Sequence, residues 1–537
     1  MNDWDNRTFF WTFQAIQFVF LAVVCLDLIG YYVPIAREAL AFLYLTFLPG
    51  GVLVLKALRL HDLGTIETVL YSAGLSLVIV MLTGLTANVV YPLLGYTRPF
   101  SFPILLLTLV AVVQVLLYLA LTRDKGRTGE SPPRLAVPPS SPPAVPFLIL
   151  LPFLAIIGTY MRNNYHMVTL LFLLLVLIAV IGLAVGFDRF IPKSCYPLGI
   201  YAIALSLLYH TSLISEYVWG GYDIHHELHL ANGVLISGLW DMAIPYNTNG
   251  MLSVVALVPP IYSLICDLDP PVWIFKIVYP PLLFALVPLG LYRAVEKQTD
   301  ARIGFFSIFF FFSFFTFYTE MISLARQQIA ELFLALTVLV MIDKTMDRGK
   351  QAFLMIAFAF AMIVSHYGLS YIYLFSLVPA WLLLAVPERL QSRLPERLAR
   401  GAALLRHDPP LAPAGTGGRT TPVRTLILPP YIVIFAVLVY LWYSTVAEGT
   451  ALATVTGIGG QDMEYPLYGL IQPDNRPGGC ISSPASRRRL STASRRSSMS
   501  PPRPSSPSGC LQPSQDASGG ASSPSISPSR SFSCSST

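Results

Sequence analysis

Charged residues are scarce in this chain. Only 12% of its 537 residues are Asp, Glu, Lys or Arg, and 54% are hydrophobic, whereas soluble domains carry roughly 25% charged residues. This composition excludes an ordinary soluble protein. The apolar residues form continuous runs, many close to the ~20 residues that cross a bilayer. Continuous rather than alternating runs predict helices and not a barrel, since only these two structures satisfy the backbone in lipid.

Cysteine is also scarce, with six residues and no Cys-x-x-Cys pair, so neither a zinc site nor a redox pair is expected. The N-terminus has no small-residue cleavage site of a secretory signal peptide, because Arg7 is followed by a long apolar run. We therefore predict that this run is retained as the first helix. The net charge of +6 comes from short loops and an arginine-rich C-terminal region, so no nucleic-acid partner is predicted.

The apolar runs predict an all-α, polytopic membrane protein with about thirteen transmembrane helices. The predicted spans cover residues 9–30, 39–58, 66–93, 99–122, 144–160, 167–187, 196–214, 272–292, 303–319, 325–342, 352–365, 369–386 and 425–446. Segment 252–265 is apolar but short and contains Pro259 and Pro260. Its length is typical of a re-entrant or interfacial helix.

The basic residues predict how the chain is oriented. If the N-terminus is cytoplasmic and segment 252–265 does not cross, most Lys and Arg residues fall in cytoplasmic loops. If that segment crossed, every later basic loop would lie outside. No Lys or Arg occurs between Lys193 and Lys276, as expected of a translocated loop. We therefore predict a multi-pass plasma-membrane protein with an extracytoplasmic loop at 215–271, in which segment 252–265 lies along the outer membrane face.

Shifts in composition divide the chain into several predicted parts. They are an N-terminal four-helix membrane module (1–122), a cytoplasmic linker (123–143), a helical hairpin (144–194), a core (195–446) that includes a basic cytoplasmic linker (387–424), and a tail (447–537). The tail becomes rich in Ser, Pro and Arg and cannot form a core. It is either a disordered tail or the product of a reading-frame slip, and we favour the slip.

Segment 216–229 concentrates acidic and histidine residues between apolar runs. In so apolar a chain, ionisable groups gather where water or a substrate reaches them. If 222–230 is helical, Asp223, His226 and Glu227 share one face at positions i, i+3 and i+4. Such a set can hold a divalent cation, Mg²⁺ or Mn²⁺. The alternative is a hydrated outer loop whose acidic residues cap helices.

The order of these features resembles the glycosyltransferase C superfamily: a spanning helix, a long acidic outer loop, a Pro-Pro-Ile-Tyr segment, then helical hairpins. More closely, residues 221–374 resemble an uncharacterised family of archaeal membrane proteins, and the similarity extends over residues 195–446. The runs that carry this resemblance are Asp223-Ile-His-x-Glu227, Ile244-Pro-Tyr-Asn247, Val258-Pro-Pro-Ile-Tyr262, Ser323-Leu-Ala-Arg-Gln-Gln-Ile-Ala-Glu331 and Ser365-His-Tyr-Gly-Leu-Ser370.

The superfamily resemblance implies transfer of a sugar, with inversion, from a polyprenyl-phosphate carrier in the membrane lipid to a glycan or protein acceptor. That reaction needs a carboxylate as general base for the acceptor hydroxyl, and groups that stabilise the departing phosphate. Asp223 is accordingly predicted to be the base and Glu227 a second catalytic carboxylate. His225 and His226 are predicted to contact the substrate.

Three further residues on the predicted outer side complete the candidate site. Arg326 is predicted to bind a lipid phosphate through its guanidinium, or else merely to pair with Glu320. His366 is predicted to contact the phosphate or the acceptor, because ionisable residues at membrane depth are rare, or else to be a structural histidine. Lys276 is predicted to serve the same phosphate, or else to extend towards the membrane interface.

Two functions of other classes remain open from the sequence. A transporter or flippase of a lipid-linked substrate typically has paired broken helices, internal repeats and charges near the midplane. We find no clear repeat, and the charges cluster at the predicted outer boundary. The other alternative is a non-catalytic membrane scaffold whose outer loop binds a partner.

Overall fold

The structure, a computed structural model, describes residues 6–60, 63–123, 142–188, 190–241, 252–268, 271–343, 345–385 and 429–445. Within these ranges the regular elements are all helices and no strand occurs. The predicted all-α class is therefore confirmed. The predictions for the tail, and for nearly all of the two linkers, lie outside the described residues.

Fifteen α-helices are found in the described ranges. They are α1 (Asn6–Leu28), α2 (Ala36–Val52), α3 (Thr65–Leu93), α4 (Phe102–Arg123), α5 (Ala144–Tyr165), α6 (Thr169–Gly186), α7 (Tyr196–Ser212), α8 (Tyr222–Ser237), α9 (Leu252–Cys266), α10 (Leu286–Gln298), α11 (Ala301–Phe312), α12 (Ala325–Met341), α13 (Arg348–Ser365), α14 (Tyr367–Ala385) and α15 (Pro429–Thr445). Two π-helical segments, Leu53–Ala57 and Ile274–Leu283, extend α2 and precede α10.

Eight helices in the described part of the chain are long and apolar enough to cross a membrane. The count becomes nine if the pair Ala301–Phe312 and Phe315–Ser323, bent by 79°, forms one span. Most of the other predicted spans coincide with shorter helices, among them α7 and α12 with 17 residues each. A helix of that length covers about 25 Å, slightly less than the ~30 Å hydrocarbon core. The count of thirteen spans therefore stays a prediction.

Helices α2 and α3 approach each other closely at Gly50. A Cβ atom added there would overlap the backbone carbonyl oxygen of Ser72 in α3. The Gly50 N–H donates to Ser76 Oγ at 2.8 Å, which joins the two helices by a hydrogen bond. The neighbouring Gly51 is open by comparison, because its added Cβ would lie 3.8 Å from the nearest atoms, in the Phe13 ring.

We expect Gly50→Ala to destabilise the fold by about 1–3 kcal/mol or more, since the added methyl group must displace backbone rather than a movable side chain. Gly51→Ala is the matched control, because it brings the same gain in helix propensity without an overlap. Thermal unfolding of the full chain in detergent measures both variants. Equal unfolding temperatures would contradict the close approach of α2 and α3.

Helix α9, from segment 252–265, is packed inside the helical bundle. It contacts α2, α3, α8, α12 and α13, and its described apolar side chains are buried except for Leu264, which is half-buried. The predicted position along the outer membrane face stays a prediction, and the structure adds that other helices enclose the described part of α9. The helix carries no charged side chain and has no polar face, so burial among other helices costs it little.

A buried arginine of α2 holds the C-terminal end of α9. Arg37 donates to the carbonyl oxygens of Ile265 (3.3 Å) and Leu264 (3.2 Å), groups that lack partners within a helix end. Its charge is balanced by Asp27 at 2.5 Å and Asp267 at 3.3 Å. This contact brings the end of α9 to the beginning of α2.

Ionic groups lie near both ends of α12. Arg326 is in its first turn, and Asp343 lies two positions beyond its last residue, so the two are about 25 Å apart along the axis. Asp343 belongs to what we term the α3–α10 network. In it, Arg293 pairs with Glu67 (2.8 Å) and Glu296 (2.6 Å), and Lys297 pairs with Glu67 (3.1 Å) and Asp343 (2.6 Å).

Candidate functional site

Residues 222–229 of the polar segment form the first half of helix α8, so the helix considered for 222–230 is present. The helix begins at Tyr222, and Asp223 lies in its first turn, where a carboxylate interacts favourably with the helix dipole. The spacing places Asp223, His226 and Glu227 along one side of the helix. Before the helix, Gly220 has a φ of +127°, and a Cβ there would overlap Ser323. The chain therefore needs a glycine where it passes Ser323, just before α12.

The C-terminal end of α8 is fixed to helix α3 and to the connection between α3 and α4. Asn88 makes two hydrogen bonds of 2.9 Å with the backbone of Trp240, donating to its carbonyl oxygen and accepting from its N–H. The Phe100 N–H donates to the Gly238 carbonyl at 2.9 Å, and Arg98 donates to the Ile236 carbonyl at 2.8 Å. Helix α8 is thus anchored at both ends.

Arg326 of α12 joins the two acidic residues of α8. Its Nη2 atom lies 3.1 Å from Asp223 Oδ2, and its Nε atom lies 3.0 Å from Glu227 Oε1. Glu227 Oε2 also accepts a hydrogen bond of 3.1 Å from the Ala325 N–H, which caps the start of α12. The partners of Arg326 thus include two carboxylates 103 and 99 positions away, and its role is not limited to a local pair with Glu320.

The two carboxylates differ in environment. The side chain of Glu227 is 1% exposed and that of Asp223 is 41% exposed. Burial raises the pKa of Glu227 to about 8, although the neighbouring charge of Arg326 works in the opposite direction. Around neutral pH this raised pKa favours the protonated form of Glu227. Asp223 is also the carboxylate that water or a substrate can reach.

Two histidines belong to the same cluster. Burial lowers the pKa of His366 to about 4, with Arg326 lowering it further and Asp223 opposing this, so the imidazole lies in electrostatic range of both residues. Burial also lowers the pKa of His226, followed by the charges of Arg326 and His229. We name Asp223, His226, Glu227, Arg326 and His366 the α8–α12 cluster.

Lys276 and His225 lie beside this cluster and make other contacts. Lys276 donates to the carbonyl oxygens of Ser215 and Glu216, and its ammonium group lies 5.2 Å from the centre of the Trp273 ring. It thereby holds the loop that leads to α8. His225 is exposed and stacks on Tyr217, with ring centres 5.6 Å apart.

The predicted metal ligands do not form a metal site in the described part of the chain, where no three His, Cys, Asp or Glu side chains are arranged to hold an ion. Asp223, His226 and Glu227 share a helix side as predicted, but the guanidinium of Arg326 contacts both carboxylates. The positive charge that the sequence analysis assigned to Mg²⁺ or Mn²⁺ is supplied here by an arginine. The donor set does not fit the predicted ion.

Sequence reasoning missed several positioning residues. Asn88 was not considered, although a polar residue inside the apolar run 66–93 is a recognisable signal. The hydrogen bond from the Ala325 N–H to Glu227 could not be predicted, because every residue type except proline has a backbone N–H. The contact between Gly220 and Ser323 likewise depends on how two distant segments meet.

The apolar helices and the ionic groups held among them define the class of this protein: a helical integral membrane protein. Residues 351–475 match a family described as "Predicted membrane protein (DUF2206)". The matched stretch includes His366 and helices α14 and α15, but neither α8 nor Arg326. No curated protein and no solved structure matches the chain.

Proposed function

We propose that the protein is a membrane glycosyltransferase that moves a sugar from a polyprenyl-phosphate carrier to a glycan or protein acceptor on the extracytoplasmic side. The proposal includes thirteen spans and a core like that of the glycosyltransferase C superfamily. The observation that carries it is the α8–α12 cluster. A partly exposed carboxylate, an arginine and a neutral histidine meet there at one end of an apolar bundle.

In the proposed reaction the acceptor hydroxyl attacks the anomeric carbon of the sugar. Asp223 takes the hydroxyl proton as the new C–O bond forms. The bond between the anomeric carbon and the phosphate oxygen breaks, and its electron pair leaves with the polyprenyl phosphate. The positive charge of Arg326 stabilises the negative charge that develops on that oxygen. Asp223 suits the role of base because its side chain is 41% exposed.

The proposed orientation rests on the charges at the two ends of α12. Near its end, Lys297 and Arg293 belong to the α3–α10 network, which the positive-inside rule assigns to the cytoplasm. Arg326, at its start, then faces the other side. A lipid-borne phosphate at the outer interface can reach this end of the bundle without crossing the hydrocarbon core.

One observation favours a transporter as the second candidate. Buried Pro-Pro pairs lie inside two adjacent helical segments, Pro259 and Pro260 in α9, and Pro280 and Pro281 in the π-helix. The helical pair Ala301–Phe312 and Phe315–Ser323 is bent by 79°. Broken helices that pack together in a bundle are typical of substrate sites in transporters. A transporter would move the lipid-linked sugar intact, whereas the proposed enzyme cleaves the bond to phosphate.

The test is an assay of membranes that contain the full chain and a pool of polyprenyl-phosphate sugars labelled in the sugar. The proposal predicts labelled acceptor and free polyprenyl phosphate. Labelled donor that crosses the membrane uncleaved would contradict the enzyme and support the transporter. A parallel assay with EDTA tests the metal requirement. We expect transfer to continue, since Arg326 contacts both acidic residues of the predicted metal site.

A further inference from the structure

His366 occupies the turn between α13 and α14 in a tightly defined position. Its backbone N–H donates to the Met362 carbonyl at 3.0 Å, and its carbonyl oxygen accepts from Ser370 Oγ at 2.8 Å. The imidazole stacks on Tyr367 with ring centres 5.4 Å apart. A Cβ atom added at Gly368 would lie 3.0 Å from the Cε1 atom of the ring. Backbone and neighbouring side chains thus fix the ring.

A hydrogen bond determines which nitrogen of His366 carries the proton. The Leu369 N–H donates to Nδ1 at 3.0 Å, at the first turn of α14. A nitrogen that accepts a hydrogen bond has no proton of its own, so the neutral imidazole holds its proton on Nε2. The low pKa of His366, which results from burial, keeps the ring neutral around pH 7.

Two charged groups of the α8–α12 cluster act on this ring. Arg326 of α12 and Asp223 of α8 are the charged residues in electrostatic range of the imidazole. In the part of the chain that the structure describes, no hydrogen bond of Nε2 is found. The cap of α14 involves only Nδ1, so the Nε2–H group remains available to a ligand.

We propose that His366 donates a fixed hydrogen bond from Nε2–H to a phosphate oxygen of the substrate and does not act as a general base. The capped Nδ1 has no lone pair left for a substrate proton, and Nε2 already carries a proton. The proton acceptor of the site is then Asp223 alone, and His366 sets the position of the phosphate. That the phosphate belongs to a sugar carrier rests on the proposed function, whereas the donor role does not.

Two substitutions separate the two nitrogens. In His366→Asn the side-chain oxygen takes the place of Nδ1 and caps α14, since Asn is among the best capping residues, but no group replaces Nε2. In His366→Gln the amide nitrogen reaches the place of Nε2, and the cap is lost. If His366 is purely structural, His366→Asn should behave like the wild type in every assay. If His366 donates to a substrate, His366→Gln should retain more binding than His366→Asn.

The experiment measures binding by calorimetry to the full chain in detergent, with farnesyl phosphate, inorganic phosphate and uncharged farnesol as probes. We expect farnesyl phosphate to bind the wild type. We expect His366→Asn to weaken this binding at least tenfold without lowering the unfolding temperature. His366→Gln should bind within about threefold of wild type, because its amide nitrogen still donates a charge-assisted hydrogen bond to the phosphate. It should unfold at a lower temperature, because the Leu369 N–H loses the acceptor that caps α14. Binding of inorganic phosphate as well would show that the site recognises the phosphate itself rather than the lipid.

Wild-type binding by His366→Asn, or no binding of either phosphate by the wild type, would overturn the inference. A ¹⁵N spectrum of histidine-labelled chain gives an independent readout, because protonated and unprotonated ring nitrogens differ strongly in shift. The His366 signal should show the proton on Nε2, and a proton on Nδ1 would also overturn it. If phosphate binds through His366 but no sugar is transferred, the proposed function fails and this inference stands.

Discussion

Asp223→Asn is expected to lower the rate of sugar transfer by about 10²–10⁴-fold, the usual contribution of a positioned general base. Asn has the same size and keeps an oxygen for the Arg326 hydrogen bond, which is 3.1 Å long in the wild type. It cannot accept the proton of the acceptor hydroxyl. Initial rates at saturating donor measure the effect, because the loss should fall on kcat rather than on KM.

Glu227→Gln is the control for this experiment. Glu227 is buried and mostly protonated around pH 7, so an amide of the same shape should reduce the rate by less than about tenfold. Both variants must show the wild-type unfolding temperature. If Asp223→Asn transfers sugar at the wild-type rate, Asp223 is not the base. A wild type without transfer activity, together with folded variants that keep their partner, would favour the scaffold.

Arg326→Met is expected to destabilise the protein in a manner that depends on pH. The raised pKa of Glu227, about 8 against an ordinary 4.5, means that the folded protein holds a proton that the unfolded chain releases. The wild type therefore loses stability as the pH rises from 4.5 to 8, and its stability levels off above 8. Above that pH the ionised Glu227 relies on Arg326. Loss of Arg326 should then lower the free energy of unfolding by about 3–5 kcal/mol.

Unfolding by denaturant at about pH 6 and about pH 9 measures the effect of Arg326→Met. At the lower pH Glu227 is protonated, and the remaining loss comes from the partly exposed pair with Asp223, worth about 0–1 kcal/mol. The double variant Arg326→Met with Glu227→Gln should recover most of the loss at the higher pH. An equal loss at both pH values would mean that Arg326 stabilises the fold by packing and not by charge.

The helices and the candidate cluster differ in how far the sequence predicts them. Hydropathy located each predicted span on a helix, because a continuous apolar run in lipid has few other conformations. Periodicity placed Asp223, His226 and Glu227 on one side of α8, because this depends only on local geometry. The lengths of α7 and α12 were less predictable, because the few residues of a single turn decide where a helix ends.

Contacts between distant segments could not be predicted in the same way. Charge bias assigned Arg326 to the same side as Asp223, but it gives no distance between them. The packing of α9 among other helices was not predicted, because hydropathy does not distinguish an apolar helix that faces lipid from one that packs against protein. Lys276 was assigned to a phosphate from its charge alone, whereas the structure shows its ammonium at two backbone carbonyls.

Sided labelling of single cysteines tests the outward-facing cluster most directly. His225 is exposed on α8 beside Asp223, and Arg348 is exposed at the start of α13, near the α3–α10 network. Each is replaced by Cys in a full chain whose own cysteines are changed to Ser, and intact cells are treated with a membrane-impermeant maleimide. The account predicts that Cys at position 225 is labelled from outside, and that Cys at position 348 is labelled only after permeabilisation. The reverse pattern would put Asp223 and Arg326 on the cytoplasmic side and contradict the proposed enzyme.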